Sequence, residues 1–203
     1  MTNLDCGAHL PHDFCMTSSG DSPSTLRGAT EGLRVSFARA RAEDAAAVAG
    51  LRTSAAFDLT ERFGKGYWSG KTSERGVLAG MRDGHILIAR RGAAIVGCLR
   101  LSTKKPWAID TSYFTPVARA IYLTDMAVRP DYQGKGIGRA MLAEAARIAG
   151  EWPADCIRLD AWNADAGAGD FYEHCGLRRV GLATYREVPL VYYELLLPPR
   201  KLP

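Results

Sequence analysis

Residues 133–138 read Gln-Gly-Lys-Gly-Ile-Gly, and three glycines in six positions make a backbone able to curl around an anion. With no side chains in the way, successive N–H groups converge on one point. The stretch Arg139–Gly150 that follows has the pattern of an amphipathic helix. Its N-terminus adds unpaired N–H groups and a positive dipole end to the same place. Arg129, Lys135 and Arg139 bring charge nearby. The chemistry implied is the binding of a phosphate or pyrophosphate. Two common phosphate motifs do not fit. A dinucleotide fingerprint counted from Gly134 needs glycine where Arg139 stands, and a P-loop built on Gly70-Lys71-Thr72 needs one where Lys65 stands.

Other residues could take part in proton transfer or binding. Asp125 is the sole carboxylate in Ile121–Val128. Strand alternation puts Tyr122, Thr124 and Met126 on one face and Leu123, Asp125 and Ala127 on the other. A bulge would re-aim Asp125; without one it reads as structural, hydrogen-bonded to nearby backbone. Trp107, Asp110, Tyr113 and Phe114 lie in the aperiodic stretch 104–118. Aromatic faces with one carboxylate suit a cationic amine, and aromatic packing that anchors a loop suits them equally. Cys6, His9, His12 and Cys15 are spaced C-x2-H-x2-H-x2-C, a donor set for tetrahedral zinc. Four ligands crowd into ten residues there, with Pro11 between the histidines, so no metal is expected. Cys98, Cys156 and Cys175 read as small buried hydrophobes, and His174 as a surface or capping residue.

The elements that must position these residues are legible from periodicity. Alternation marks 33–40 as a strand. Four-residue steps (Ala47, Leu51, Ala55, Leu59, Phe63) mark a helix from Glu43 to Phe63, ending at Gly64. A shorter helix falls between Thr72 and Met81. HILIARRG and AIVGCLRLS are strands broken at Arg91-Gly92-Ala93. ARAIYLTDMAV is a buried strand before the glycine loop, and the helix after it buries Ile137, Met141, Leu142, Ala145 and Ile148. DCIRLDAW is a strand, AGDFYEHCG a short helix, and LRRVGLATY and VPLVYYELLL the last strands. Strands and helices in this order predict a mixed α/β sheet.

The chain has 203 residues, 47% hydrophobic and 24% charged, which suits one domain with a sizeable core. Residues 1–32 are rich in Ser, Thr, Gly, Asp and Pro without periodicity and read as an N-terminal extension to a body spanning 33–203. A formal charge of +4 is too small to predict nucleic acid as a partner and fits a phosphorylated small ligand. No apolar run approaches the ~20 residues of a membrane span. The start MTNLDCGAHLPHDF lacks the features of a signal peptide, and five scattered cysteines do not form a disulfide framework. The expectation is a soluble, cytoplasmic protein with reduced thiols, no membrane partner, and a homodimer left open.

Gln133, Gly136 and Gly138 also fit the pattern Q/R-x-x-G-x-G/A, which resembles the acetyl-CoA signature of the GNAT N-acetyltransferase superfamily. Met126-Ala127-Val128-Arg129-Pro130 before it, Arg158–Trp162 after it, and Phe171-Tyr172-Glu173-His174-Cys175-Gly176-Leu177 agree in order and spacing. The resemblance covers roughly Leu33 to Leu197. It implies the GNAT fold: a mixed, mostly antiparallel sheet with helices on both faces, splayed where acetyl-CoA lies. It implies that Met126, Ala127 and Val128 border the pantetheine arm and that Gln133, Gly134, Lys135, Gly136, Ile137, Gly138 and Arg139 hold the pyrophosphate. It casts Tyr172 as general acid beside the sulfur, a contact it shares with the cofactor set, and a backbone N–H near Val128 as oxyanion donor. Asp125 is the nominated base, with Asp160 or Asp110 through ordered water as alternatives. Trp107, Asp110, Tyr113 and Tyr122 are the expected acceptor-binding residues. Asp165 stands where the family usually has Asn; it remains a good helix cap. The implied activity is N-acetyl transfer from acetyl-CoA to a primary amine of a small molecule by direct attack. A protein or peptide N-acetyltransferase and a catalytically silent acyl-CoA-binding regulatory module are the alternatives.

Overall fold

The computed structural model describes residues 34–198; the Cys6, His9, His12 and Cys15 quartet lies outside them. The two apolar runs flanking Gly92 fold back on each other as strands β2 (His85–Arg91) and β3 (Ala94–Ser102). The short strand β1 (Ser36–Arg39) pairs with the outer side of β2, and β4 (Ala120–Val128) with β3. Strands β5 (Cys156–Trp162), β6 (Arg178–Tyr185) and β7 (Val188–Leu196) complete one seven-stranded sheet of order β1-β2-β3-β4-β5-β7-β6. Every neighbouring pair is antiparallel except β4 and β5.

That parallel pair is short. Only Ala120↔Cys156, Ile121↔Ile157 and Tyr122↔Arg158 are in register. Beyond them β4 stays on β3 as far as Val128, and β5 stays on β7 as far as Trp162. The sheet therefore opens like a V, with two strand edges facing each other across the gap.

Helices α1 (Ala45–Phe63) and α2 (Glu74–Asp83) cover one face of the N-terminal half, where Val48, Leu51 and Val77 pack on Ile86, Ile88, Ile95 and Cys98. The buried stripe of α1 is Ala45, Val48, Ala49, Leu51 and Ala55, so Ala47, expected inside, faces out. The expected start of α2 moves two residues, because Ser73 caps it by accepting a bond from the Gly76 N–H at 3.1 Å. Helix α3 (Ile137–Glu151) lies on the opposite face, with all five expected apolar residues buried against Leu99, Leu101, Ile121 and Leu159. The short helix α4 (Gly169–His174) joins that cluster through Tyr172. Among the described residues no helix is long and apolar enough to cross a membrane, and no group of His, Cys, Asp and Glu could hold a metal ion.

Candidate active site

The glycine loop acts where β4 hands over to α3. Gly134 and Gly136 have φ of +70° and +80°, the left-handed region that side chains resist. Gly138 serves space instead: a Cβ there would sit 3.0 Å from the Phe171 ring and 3.5 Å from the Met126 methyl. The first ladder bond of α3 runs from the Ala140 N–H to the Gly136 carbonyl at 3.0 Å. The N–H groups of Ile137, Gly138 and Arg139 precede that ladder, and these residues line a cavity of about 530 Å³. Its walls continue through Met126, Ala127, Val128, Gln133, Phe171 and Tyr172, with Arg62, Phe63 and Leu59 arriving from α1. The chain thus offers a long groove with N–H donors and a helix N-terminus at one end and apolar walls along the V. The donor set fits a phosphorylated ligand with a slender arm.

A second cavity, about 560 Å³, lies on the α1 side of the opening. It is walled by Arg52, Ala55, Ala56 and Leu59 of α1, by Tyr67, Trp68, Lys71 and Thr72 of the loop before α2, by residues 123–127 of β4, and by Asp160 and Trp162 of β5. The loop is held in place by Thr53, which accepts the Thr72 N–H at 3.2 Å, and by a Thr60–Ser69 hydroxyl bond of 2.7 Å. Trp68 packs against Trp162 with ring centres 5.2 Å apart. Asp125 has φ +59° and sits at a register shift, where one residue of β3 faces two of β4. That bulge turns it to the cavity against strict alternation. Its carboxylate accepts from Arg52 at 2.6 Å and faces Arg100 at 3.0 Å. Asp160 differs: burial pushes its carboxyl above the usual range, and no cation among the described residues lies within ion-pair distance.

The two cavities share Ala55, Leu59, Met126, Ala127, Ala166, Ala168 and Tyr172. Tyr172 is buried, and its hydroxyl points to the Met126 sulfur at 3.9 Å. Burial, then the nearby Asp160 charge, push its phenol well above the ordinary value. A groove with anion-binding N–H groups and a second cavity meeting at one buried tyrosine is an arrangement for moving a group between two ligands.

Comparison with known proteins decides the family, for the profile described as "Acetyltransferase (GNAT) family" matches residues 53–177. The chain belongs to the GNAT acetyltransferase family. Thialysine N-epsilon-acetyltransferases of Bos taurus and Sus scrofa are each 35% identical, over 65 and 66 residues. Each match covers 32% of this chain and spans 38% and 39% of those relatives' lengths. The fold is shared with an acetyltransferase of the GNAT family from Listeria monocytogenes (TM-score 0.64, 19% identity, covering 82% of this chain and 98% of that one). It is shared too with the PaiA N-acetyltransferase of Thermoplasma acidophilum, solved with coenzyme A (TM-score 0.62, 16% identity, 79% and 98%). YncA of Salmonella typhimurium, solved with acetyl-CoA, is similar at TM-score 0.60 and 15% identity, over 83% and 97%.

Within this GNAT fold the residues expected from sequence divide clearly. Met126, Ala127, Val128, Gln133, Gly134, Gly136, Ile137, Gly138, Arg139 and Tyr172 line the groove together. Lys135 and Arg129 do not. The Lys135 ammonium donates to the Asp131 carbonyl at 2.7 Å, Arg129 pairs with the Asp131 carboxylate, and both stack on Tyr132. Asp125 lines the second cavity, held by arginine side chains rather than by backbone. Trp107, Asp110, Tyr113 and Tyr122 line neither cavity. Trp107 is 87% exposed, and Asp110 caps the turn at Ser112. Tyr113 packs edge-on against Tyr192 and over Gly181, and Tyr122 is buried with Ile109, Phe114 and Tyr192. Asp165 lines the groove without capping α4, whose cap position is Ala168. The cavity-lining residues that sequence reasoning did not single out are Arg52, Arg62, Tyr67, Trp68, Lys71 and Trp162; the step of Leu59 and Phe63 along α1 was a signal for Arg52 and Arg62 alone.

Proposed function

We propose that residues 33–203 form an N-acetyltransferase that moves the acetyl group of acetyl-CoA to a primary amine of a small molecule by direct attack. The observation that carries this is the meeting of the two cavities at Tyr172 in the opening of the sheet. Bound in the groove, acetyl-CoA supplies an activated thioester. In the overall change the C–S bond breaks and an N–C bond forms; one ammonium proton leaves to solvent and a second ends on the thiol.

The chain's residues divide that work. The N–H groups of 137–139 and the Gly134–Gly136 turn bind the pyrophosphate, with Arg62 and Arg139 beside them. The backbone N–H near Val128 is assigned to the carbonyl oxygen as negative charge develops there. Tyr172, kept protonated by burial, donates to the departing sulfur. The sequence nominates Asp125 as the base. Two guanidinium groups engage its carboxylate, so we give it the fixing of Arg52 instead. The curated relatives' name specifies an ε-nitrogen acceptor, which supports an amine. The second cavity is roofed by the 64–73 loop, which favours a small acceptor over a protein.

The test is thiol release from acetyl-CoA over an amine panel, with CoA binding measured by calorimetry. Saturable release with at least one amine is expected. No CoA binding at millimolar concentration would overturn the cofactor assignment, and binding without turnover would favour a silent acyl-CoA module.

A further inference from the structure

The second cavity is charged unevenly. Its position along α1 shows the two ends. Ala55 and Leu59 belong to both cavities and so mark the end that meets the groove. Arg52 lies about one turn beyond Ala55 and about 10 Å in helix rise from Leu59. Lys71 is brought to the same level, because its neighbour Thr72 bonds to Thr53, the neighbour of Arg52. Behind them Arg100 holds the other side of Asp125. Arg52, Arg100 and Lys71 stand against one carboxylate, so this far end keeps a surplus of positive charge. The tether between α1, β3 and β4 needs one arginine on Asp125; it does not need a lysine facing the cavity.

The near end has the opposite sign. Continuing the β4–β5 register past Tyr122↔Arg158 places Asp160 across the opening from Thr124, on the same face as Arg158. It lines the cavity beside Trp162 and Trp68. Its charge reaches Tyr172 from α4 and Tyr192 from β7; Asp125 from β4, Arg52 from α1, and Tyr67 and Lys71 from the loop line the same cavity. The two aromatic faces and a carboxylate with no cation partner favour an ammonium group at this end.

We propose that the acceptor is an amine carrying its own carboxylate or similar anion, of the ω-amino acid type. Its nitrogen lies at Asp160 and its anion at Arg52 and Lys71, separated by about 5–10 Å of chain. Asp160 is then the catalytic residue that takes the ammonium proton and passes it to solvent, freeing the nitrogen lone pair. This rests on the acetyl-transfer reading above and adds the substrate's shape and charge.

The experiment compares a homologous series of ω-amino carboxylates with the matching n-alkylamines and ω-amino methyl esters, by thiol release from acetyl-CoA. The expected result is a kcat/KM roughly tenfold or more higher for the carboxylates than for either uncharged set, with an optimum beyond the shortest chains. Lys71→Gln and Arg52→Gln each shrink that ratio, chiefly through KM. Asp160→Asn lowers kcat with every amine while CoA still binds, since Asp160 does not line the groove. Equal use of the three sets overturns the charge assignment and leaves acetyl transfer standing. A preference unmoved by either variant overturns the placement at Arg52 and Lys71. An Asp160→Asn enzyme with wild-type kcat overturns its role as base. No thiol release with any amine overturns both readings.

Discussion

Replacing Tyr172 by Phe isolates the donor from the packing. The ring stays against Phe171 and Tyr193, with centres 5.3 and 5.7 Å away. Only the hydroxyl goes, and its one partner among the described residues is the Met126 sulfur at 3.9 Å, a weak acceptor. The stability cost is therefore at most about 1 kcal/mol, a melting shift of roughly 2–4 °C for a chain of this size. The catalytic cost is larger. Proton donation contributes about 10²–10⁴-fold, and a thiol with a pKa near ~8.5 leaves without much help. The lower end applies, so kcat falls by about 10²-fold with the KM for acetyl-CoA little changed. Burial and the Asp160 charge raise the phenol, and the acid works only while protonated. Wild-type kcat therefore shows no alkaline fall below the ordinary tyrosine value of about pH 10. Steady-state kinetics across pH, beside thermal melts, measure all three quantities. An unchanged kcat with a melting point lowered by more than about 5 °C would show that the hydroxyl is structural and refute the assignment.

Gly138→Ala places a Cβ 3.0 Å from Phe171. Calorimetry should show CoA affinity down roughly tenfold, and thermal melts a small loss of stability, because the Phe171 ring must give way at the first turn of α3. Gly134→Ala meets no atom within 4 Å but sits at φ +70°, so it should cost about 1–2 kcal/mol in denaturant titration. Arg178→Met removes the cation from Glu194, which is 1% exposed, and should cost about 3 kcal/mol; two Thr115 bonds remain. Burial alone would raise Glu194, but the Arg178 and Thr115 hydrogen bonds outweigh it and hold it below the usual range. Its contribution is present above the ordinary carboxylate pKa and lost as pH falls through the lower folded value. Acid titration of stability should therefore be shallower in Arg178→Met. Because burial raises Asp160, the acid limb of kcat/KM should lie above the ordinary carboxylate range and vanish in Asp160→Asn.

The groove was legible in sequence because its parts are contiguous. A glycine loop, the helix after it and the strand before it are read from neighbours, and each glycine has a local reason in φ or in contact with Phe171. The second cavity was not, because Arg52, Lys71, Asp125 and Asp160 come from four separate segments that meet only where the sheet divides. Asp125 shows the difficulty in one residue: strict alternation turns it away, and a one-residue bulge that no pattern announces turns it back. The 104–118 loop shows the opposite case. Its aromatics are what a cation site would use, yet Phe114 packs into the core beside Tyr192, and Tyr113 lies over Gly181. The N–H and hydroxyl of Thr115 meanwhile bond to Glu194. Periodicity placed the four α-helices and seven strands of the described residues, though the first strand is shorter than its alternation suggested, because only Ser36–Arg39 faces a partner on β2.

The short β4–β5 seam has a further consequence. Three residue pairs join the two halves of the sheet, and past them two strand borders run side by side without bonding to each other. Unpaired strand borders are where a further chain could add to a sheet, but here the residues that carry them, 124–128 and 159–162, are buried or half-buried, so the opening does not behave as an ordinary sheet edge. A ligand bound in the V would touch both halves of the sheet, so its binding should raise the melting temperature as well as prepare the reaction.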